Sequence, residues 1–118
     1  MKWQTLVKKK NNLLMKNMGC NMDNKIIKFI KKYDISDLEI QDIINISPML
    51  EVTSYEEFIA NCKLLVEYGY PQEDLDVLLL ANPNLFARSY KDLKQDLIDL
   101  STKYRDIEEI LKQDPTII

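Results

Sequence analysis

The residues with chemistry to offer fall into four groups. The first is a pair of isolated cysteines, Cys20 and Cys62, with no Cys-x-x-Cys spacing and no histidine in the chain to join them. Without histidine there is no Ser-His-Asp triad, no Cys-His pair and no imidazole ligand, and two thiols cannot fill the four positions of a structural zinc site. Both cysteines read as free thiols of a reducing compartment, Cys62 as a small hydrophobe on a helix face. The second group is carboxylate, gathered as Glu56/Glu57 and Glu73/Asp74/Asp76. Each set stands where a helix begins, and the partial positive charge of a helix N-terminus favours acids there without any general acid or base role. No glycine-rich phosphate loop exists, and no spacing proposes a magnesium site. The third group is basic: Lys8, Lys9, Lys10, Lys16, Lys25, Lys28, Lys31 and Lys32, then a stripe of Arg88, Lys91 and Lys94. Such cations are suited to neutralising phosphates and releasing their counterions. The fourth is aromatic, since Trp3, Tyr33, Tyr55 and Tyr90 have faces on which bases could stack, although Tyr55 and Tyr90 sit beside helix caps and read as structural. These groups imply no enzyme, no metal and no cofactor, and point to binding.

The scaffold that must position them is helical. In 118 residues, 46% apolar and 30% charged, only 2 Gly and 4 Pro leave few places for tight hairpins, which favours an all-α domain with short connections. The formal net charge of −3 averages two unlike parts. Residues 1–32 hold nine lysines against one acid, a charge of +8; residues 33–118 hold seven Lys and Arg against eighteen acids, a charge of −11. We expect a basic tail over residues 1–22, without stable structure of its own, and a single α-helical domain over residues 23–118. Lysines and asparagines interrupt every apolar run of the tail, so no secretory signal is expected, and no stretch approaches the ~20 apolar residues of a membrane span. A cytoplasmic location without membrane contact follows. The acid-free, lysine-rich start keeps a mitochondrial presequence, and hence the matrix, as the alternative. Met22 is an alternative natural start.

From Asp23 the apolar spacing becomes helical. Ile26, Ile27, Phe29, Ile30 and Tyr33 share one face, and Lys25, Lys28, Lys31 and Lys32 the other, giving a short basic amphipathic helix. Residues 34–118 then repeat. Shifted by 35, Pro48, Leu50, Ser54, Tyr55 and Leu65 fall on Pro83, Leu85, Ser89, Tyr90 and Leu100, and Ile40, Ile43, Ile44, Phe58 and Cys62 fall on Leu75, Leu78, Leu79, Leu93 and Leu97. A third, shorter unit echoes the second, with Ile107, Ile110, Leu111, Asp114, Pro115, Ile117 and Ile118 matching Leu75, Leu78, Leu79, Asn82, Pro83, Leu85 and Phe86. Each unit reads as two helices around a proline corner. In the first, Ser36 with Glu39 forms a capping box, and a helix burying Leu38, Ile40, Ile43 and Ile44 must end before Pro48. Ser47 and Asn82 precede the corner prolines as capping residues, a one-turn helix is expected over residues 48–50, and Thr53 or Ser54 caps a longer helix that buries Tyr55, Phe58, Ile59, Cys62, Leu65 and Val66 until Gly69 ends it. The second unit opens at Tyr70-Pro71 and buries Leu75, Val77, Leu78, Leu79 and Leu80, apolar on nearly every side. Ser89 caps a helix with a stripe of Tyr90, Leu93, Leu97, Leu100 and Tyr104, read as a core face rather than a coiled-coil seam. Asp99/Lys103 and Glu108/Lys112 are spaced as i,i+4 ion pairs.

The clearest unit is YGYPQEDLDVLLLANPNLFARSYKDLKQDLIDL, residues 68–100. Its aromatic-Gly turn, acidic helix start, Asn-Pro-x-Leu corner and leucine-spaced second helix resemble the helical repeats of the mitochondrial transcription termination factor (mTERF) family. In that pattern leucine-like positions stand ten and seventeen residues after the proline, here Phe58 and Leu65 after Pro48, and Leu93 and Leu100 after Pro83. The match covers residues 34–118, about two and a half units. The resemblance implies a left-handed superhelical stack of three-helix units and, in the family, binding of double-stranded nucleic acid along a basic groove in organelles.

Two properties of this chain direct the functional expectation elsewhere. Its repeats are few, and they are acidic, so the only phosphate-suited stripe within them is Arg88, Lys91 and Lys94, whose first-unit counterparts are Thr53, Glu56 and Ile59. The expected function is a non-enzymatic interaction module, a small regulator or inhibitor that binds a protein partner through an acidic surface. The alternative is a nucleic-acid-binding transcription regulator of the mTERF type that contacts a duplex through Lys25, Lys28, Lys31, Lys32, Arg88, Lys91 and Lys94. The half unit at the end lacks the helix that would cover Leu111, Ile117 and Ile118, so self-association through these residues is also expected.

Overall fold

The computed structural model describes residues 21–118. Lys8, Lys9, Lys10, Lys16 and Cys20, and with them the proposed tail up to residue 20, lie outside the described residues. Five of the seven α-helices among the described residues begin at a residue whose side chain satisfies an otherwise unpaired backbone N–H. Asp23 accepts from the Lys25 N–H at 2.9 Å and opens α1 (Asn24–Lys31). Ile26 and Ile30 of α1 are buried and its lysines are exposed. Met22, just before α1, is also buried in the core.

Helix α2 (Asp37–Ile46) carries the capping box in full, with Glu39 N–H donating to the Ser36 hydroxyl and Ser36 N–H to the Glu39 carboxylate at 3.0 Å. The backbone N–H and hydroxyl of Ser36 hold the Glu39 carboxyl below its usual range. Ile40, Ile43 and Ile44 are buried, but Leu38 is 80% exposed, against expectation. At 100° per residue Leu38 lies on the side of the helix opposite those three isoleucines, and nothing covers it. A 3-10 turn (Pro48–Glu51) follows, in which Thr53 donates to the Met49 carbonyl; Ser54, not Thr53, caps α3 (Tyr55–Glu67). Gly69, at φ +107°, ends α3 in a Schellman arrangement, with Tyr70 N–H bonded to the Leu65 carbonyl and Gly69 N–H to that of Val66.

The expected continuous helix after Pro71 is two pieces, a 3-10 turn (Gln72–Asp74) and α4 (Leu75–Ala81). Leu75, Leu78 and Leu79 are buried, while Val77 and Leu80 are exposed, so α4 has an outer face after all. Short α5 (Asn84–Ala87) leads to α6 (Tyr90–Lys103), capped by Ser89, and then to α7 (Ile107–Gln113), capped by Asp106. In α6 Leu93, Leu97 and Leu100 are buried but Tyr90 and Tyr104 are exposed, which makes the stripe a core face of three leucines. No strand occurs among the described residues, and the fold is all-α.

Helix α3 packs against α1, α5 and α6, and α2 packs against α4 and the turn at Pro48. A run of rings joins these elements, with Phe29 of α1 edge-on to Phe58 of α3 at 5.5 Å and Phe58 beside Phe86 of α5 at 5.6 Å. Residues 35 apart share burial at Ile40/Leu75, Ile43/Leu78, Ile44/Leu79, Leu50/Leu85, Phe58/Leu93, Cys62/Leu97 and Leu65/Leu100.

Candidate interaction site

The cations expected to meet phosphate fall on α1 and at the start of α6, two helices that both pack against α3. On α1, Lys25, Lys28, Lys31 and Lys32 are all exposed, Lys25 lying over the Tyr55 ring at 5.7 Å and Lys31 paired with Asp37 at 2.7 Å. On α6, Lys91 is exposed and Lys94 lies over the Tyr90 ring at 5.9 Å. Helix α3 touches both α1 and α6, and its exposed charged residues are Glu56, Glu57, Lys63 and Glu67. The two sets of lysines therefore do not join into one basic face. Arg88, expected on the phosphate-suited stripe, is withdrawn from it: its guanidinium pairs with Asp96 and donates to the Ile118 carbonyl at 3.0 Å. An arginine committed to a carboxylate and a backbone oxygen has little left to give a phosphate.

The same contacts involve the residues expected to mediate self-association. Leu111 is fully buried, and Ile117 and Ile118 are partly buried against the core. The chain end folds back, held by Arg88 and by Asn82, whose amide donates to the Pro115 carbonyl at 2.8 Å rather than capping the following turn. Ser47, at the matching place in the first unit, makes no cap either, and its hydroxyl is buried without a partner.

Asn61 was not among the expected site residues. It is buried in α3, and its amide donates to the carbonyls of Phe86 at 3.3 Å and Arg88 at 2.7 Å, tying α3 to the α5 corner. A signal was present in the sequence, because Asn61 stands inside the apolar stripe Phe58, Cys62, Leu65, and Asp96 occupies the matching place 35 residues on. Asp96 serves the corresponding joint indirectly, through Arg88 to the Ile118 carbonyl.

Lys112 makes a third joint. It pairs with Glu108 at 2.8 Å, as its spacing predicts, and also with Asp74 at 2.7 Å, and lies over the Tyr70 ring at 5.9 Å. The hydrogen bonds it donates to the two carboxylates push its pKa up. Asp99, by contrast, accepts from Gln95 instead of pairing with Lys103. Between α1, α3 and the start of α4 lies an open cavity of about 340 Å³ bordered by Phe29, Ile59, Cys62, Val66 and Leu75, with Lys63 and Glu67 at its margin. Cys62 is a free thiol there, and burial pushes its pKa up to about 12, which leaves it protonated and a poor nucleophile near neutral pH.

Among the described residues no group of three or more Cys, Asp or Glu side chains is placed to hold a metal ion, and no helix is long and apolar enough to cross a membrane. What the described surface does present is acid. Between Lys32 and Arg88 stand eleven Asp and Glu and a single cation, Lys63. Comparison with protein-family models, curated proteins and solved structures finds no match.

Proposed function

We propose that this chain is a non-enzymatic interaction module, a small regulator or inhibitor that binds a basic protein partner through its acidic body. The observation that carries this reading is the span of residues 33–87, eleven carboxylates against one lysine, spread over α2, α3 and α4 with most of its acids exposed. Such a surface attracts a cationic partner, steers its approach and repels nucleic acid. In this reading the protein works in the cytoplasm.

The alternative reading, duplex binding of the mTERF type, draws on the exposed lysines Lys25, Lys28, Lys32, Lys91 and Lys94. Its support is reduced by the commitment of Arg88 and by the acids of α3, which touches both α1 and α6. Two measurements decide between the readings. The tagged full chain, crosslinked in its source cells, is expected to capture a protein at low salt, and an Asp37→Lys, Asp42→Lys, Asp76→Lys variant is expected to lose it. Titration with a duplex at low salt is expected to show no retention. Duplex binding that disappears in a Lys25→Glu, Lys28→Glu, Lys32→Glu variant would establish the alternative instead.

A further inference from the structure

The outward faces of α2 and α4 carry apolar side chains that nothing in the fold covers. Leu38 is 80% exposed, Ile46 and Val77 more than half, and Met49 and Leu80 are exposed as well. The two helices pack together. Their buried residues match at a shift of 35, so their outer positions match too, Asp42 with Val77, Asn45 with Leu80 and Ile46 with Ala81. The result is a strip of apolar side chains in which Asp42 stands between Leu38 and Ile46 on α2. A lone exposed leucine is ordinary on a protein surface, but five large apolar residues on α2, α4 and the turn at Pro48 are not.

The charges carried by the strip's own elements are of one sign, and cations from α1 and α7 reach two of them, Lys31 at Asp37 and Lys112 at Asp74. Residues 36–53 and 71–81, which comprise α2, α4 and the turns beside them, contain seven carboxylates and no Lys or Arg. Lys63, the single cation of the span, is on α3. Asp42, Glu73 and Asp76 take part in no ion pair among the described residues, and an apolar strip edged by such acids complements an apolar strip edged by bases, which is the surface of a cationic amphipathic helix.

We infer that the α2/α4 face, centred on Leu38, Ile46, Val77 and Leu80, is a docking site for a basic amphipathic helix of the partner protein. The helix lays leucine-like residues at i, i+3, i+4 and i+7 on the strip and its Lys or Arg side chains on Asp42, Glu73 and Asp76. The inference rests on the protein-binding reading above and adds to it a face and a binding element. Charge brings the helix in, and the apolar strip holds it.

The probe is a synthetic peptide of ~18 residues with leucines on one helical face and lysines on the other, compared with a peptide of the same composition in scrambled order. Each is titrated into the full chain by calorimetry and by amide chemical shifts. The amphipathic peptide is expected to bind, to shift the amides of α2 and α4, and to lose about tenfold or more in affinity for the variants Val77→Lys and Leu38→Lys. Both side chains are exposed, so the variants retain the wild-type helical content by circular dichroism. Equal binding of the scrambled peptide, or affinity unchanged in the variants, would overturn the inference. So would a wild-type dimer by light scattering that dissociates in Val77→Lys, since the occupant would then be a second copy of this chain. Capture of a cellular partner that survives Leu38→Lys and Val77→Lys while failing with the Asp-to-Lys variant would leave the acidic module standing and remove this face from it.

Discussion

Asn61 does for two carbonyls what no backbone group is placed to do. Phe86 and Arg88 lie where the chain turns from α5 to α6, and their oxygens receive the amide of the fully buried Asn61, the Phe86 bond buried and the Arg88 bond partly so. An unpaired buried carbonyl costs free energy because folding strips its water without replacing the bond. Asn61→Ala is therefore expected to lower stability by about 1–3 kcal/mol, read as a shift in the urea midpoint without loss of helix content. A variant as stable as wild type would show that water or a rearranged corner supplies the missing bonds. Arg88 illustrates why a cation's type and sequence position do not disclose its task. Its place beside Lys91 and Lys94 suggests phosphate, whereas contacts with Asp96, eight residues away, and Ile118, thirty residues away, set its use.

At the scale of helices and turns, the rules that act over three or four residues were readable in advance. Ser36, Ser54 and Ser89 cap as their spacing indicates, because a cap is made with its own helix. Gly69 is another local case. Its φ of +107° is open to glycine alone, and a Cβ built there meets no atom within 4 Å, so the cost of a side chain is purely one of backbone conformation. Gly69→Ala is expected to cost about 1 kcal/mol or more, with α3 frayed at its C-terminus in hydrogen exchange; an unchanged stability would mean the turn relaxes to negative φ. What could not be read locally is which apolar positions face inward. Leu38, Val77 and Leu80 are as apolar as their buried neighbours, and their exposure follows from which side of each helix the rest of the fold covers. Ser47 and Asn82 look like caps in sequence, yet Asn82 is used across units, an outcome fixed by the return of the chain end.

For the whole molecule, the joints between successive segments differ in kind: an amide at Asn61, a guanidinium at Arg88 and an ammonium at Lys112. The 35-residue recurrence of apolar residues and caps was legible because both follow from periodicity, but the Asp74–Lys112 contact spans 38 residues and depends on how α7 is set against the start of α4. Since its partners raise the Lys112 pKa, its contribution is complete below the ordinary lysine value of 10.5 and is lost as pH rises through the higher folded value. The melting-temperature difference between wild type and Lys112→Met should accordingly hold steady from about pH 6 to 9 and shrink in stronger alkali. A gap that stayed undiminished in strong alkali would place the stabilisation in packing against Tyr70 instead. The scarcity of cations between Lys32 and Arg88 has a further consequence, for digestion. Trypsin cuts after lysine and arginine, so within residues 33–87 it finds one bond, that between Lys63 and Leu64. That bond lies in the middle of α3 with Leu64 buried, and it cannot enter a protease cleft unless the helix opens. Where reclosing outruns cleavage, the rate of the nick after Lys63 thus reports the population in which α3 is open, a probe supplied by the chain's own charge pattern.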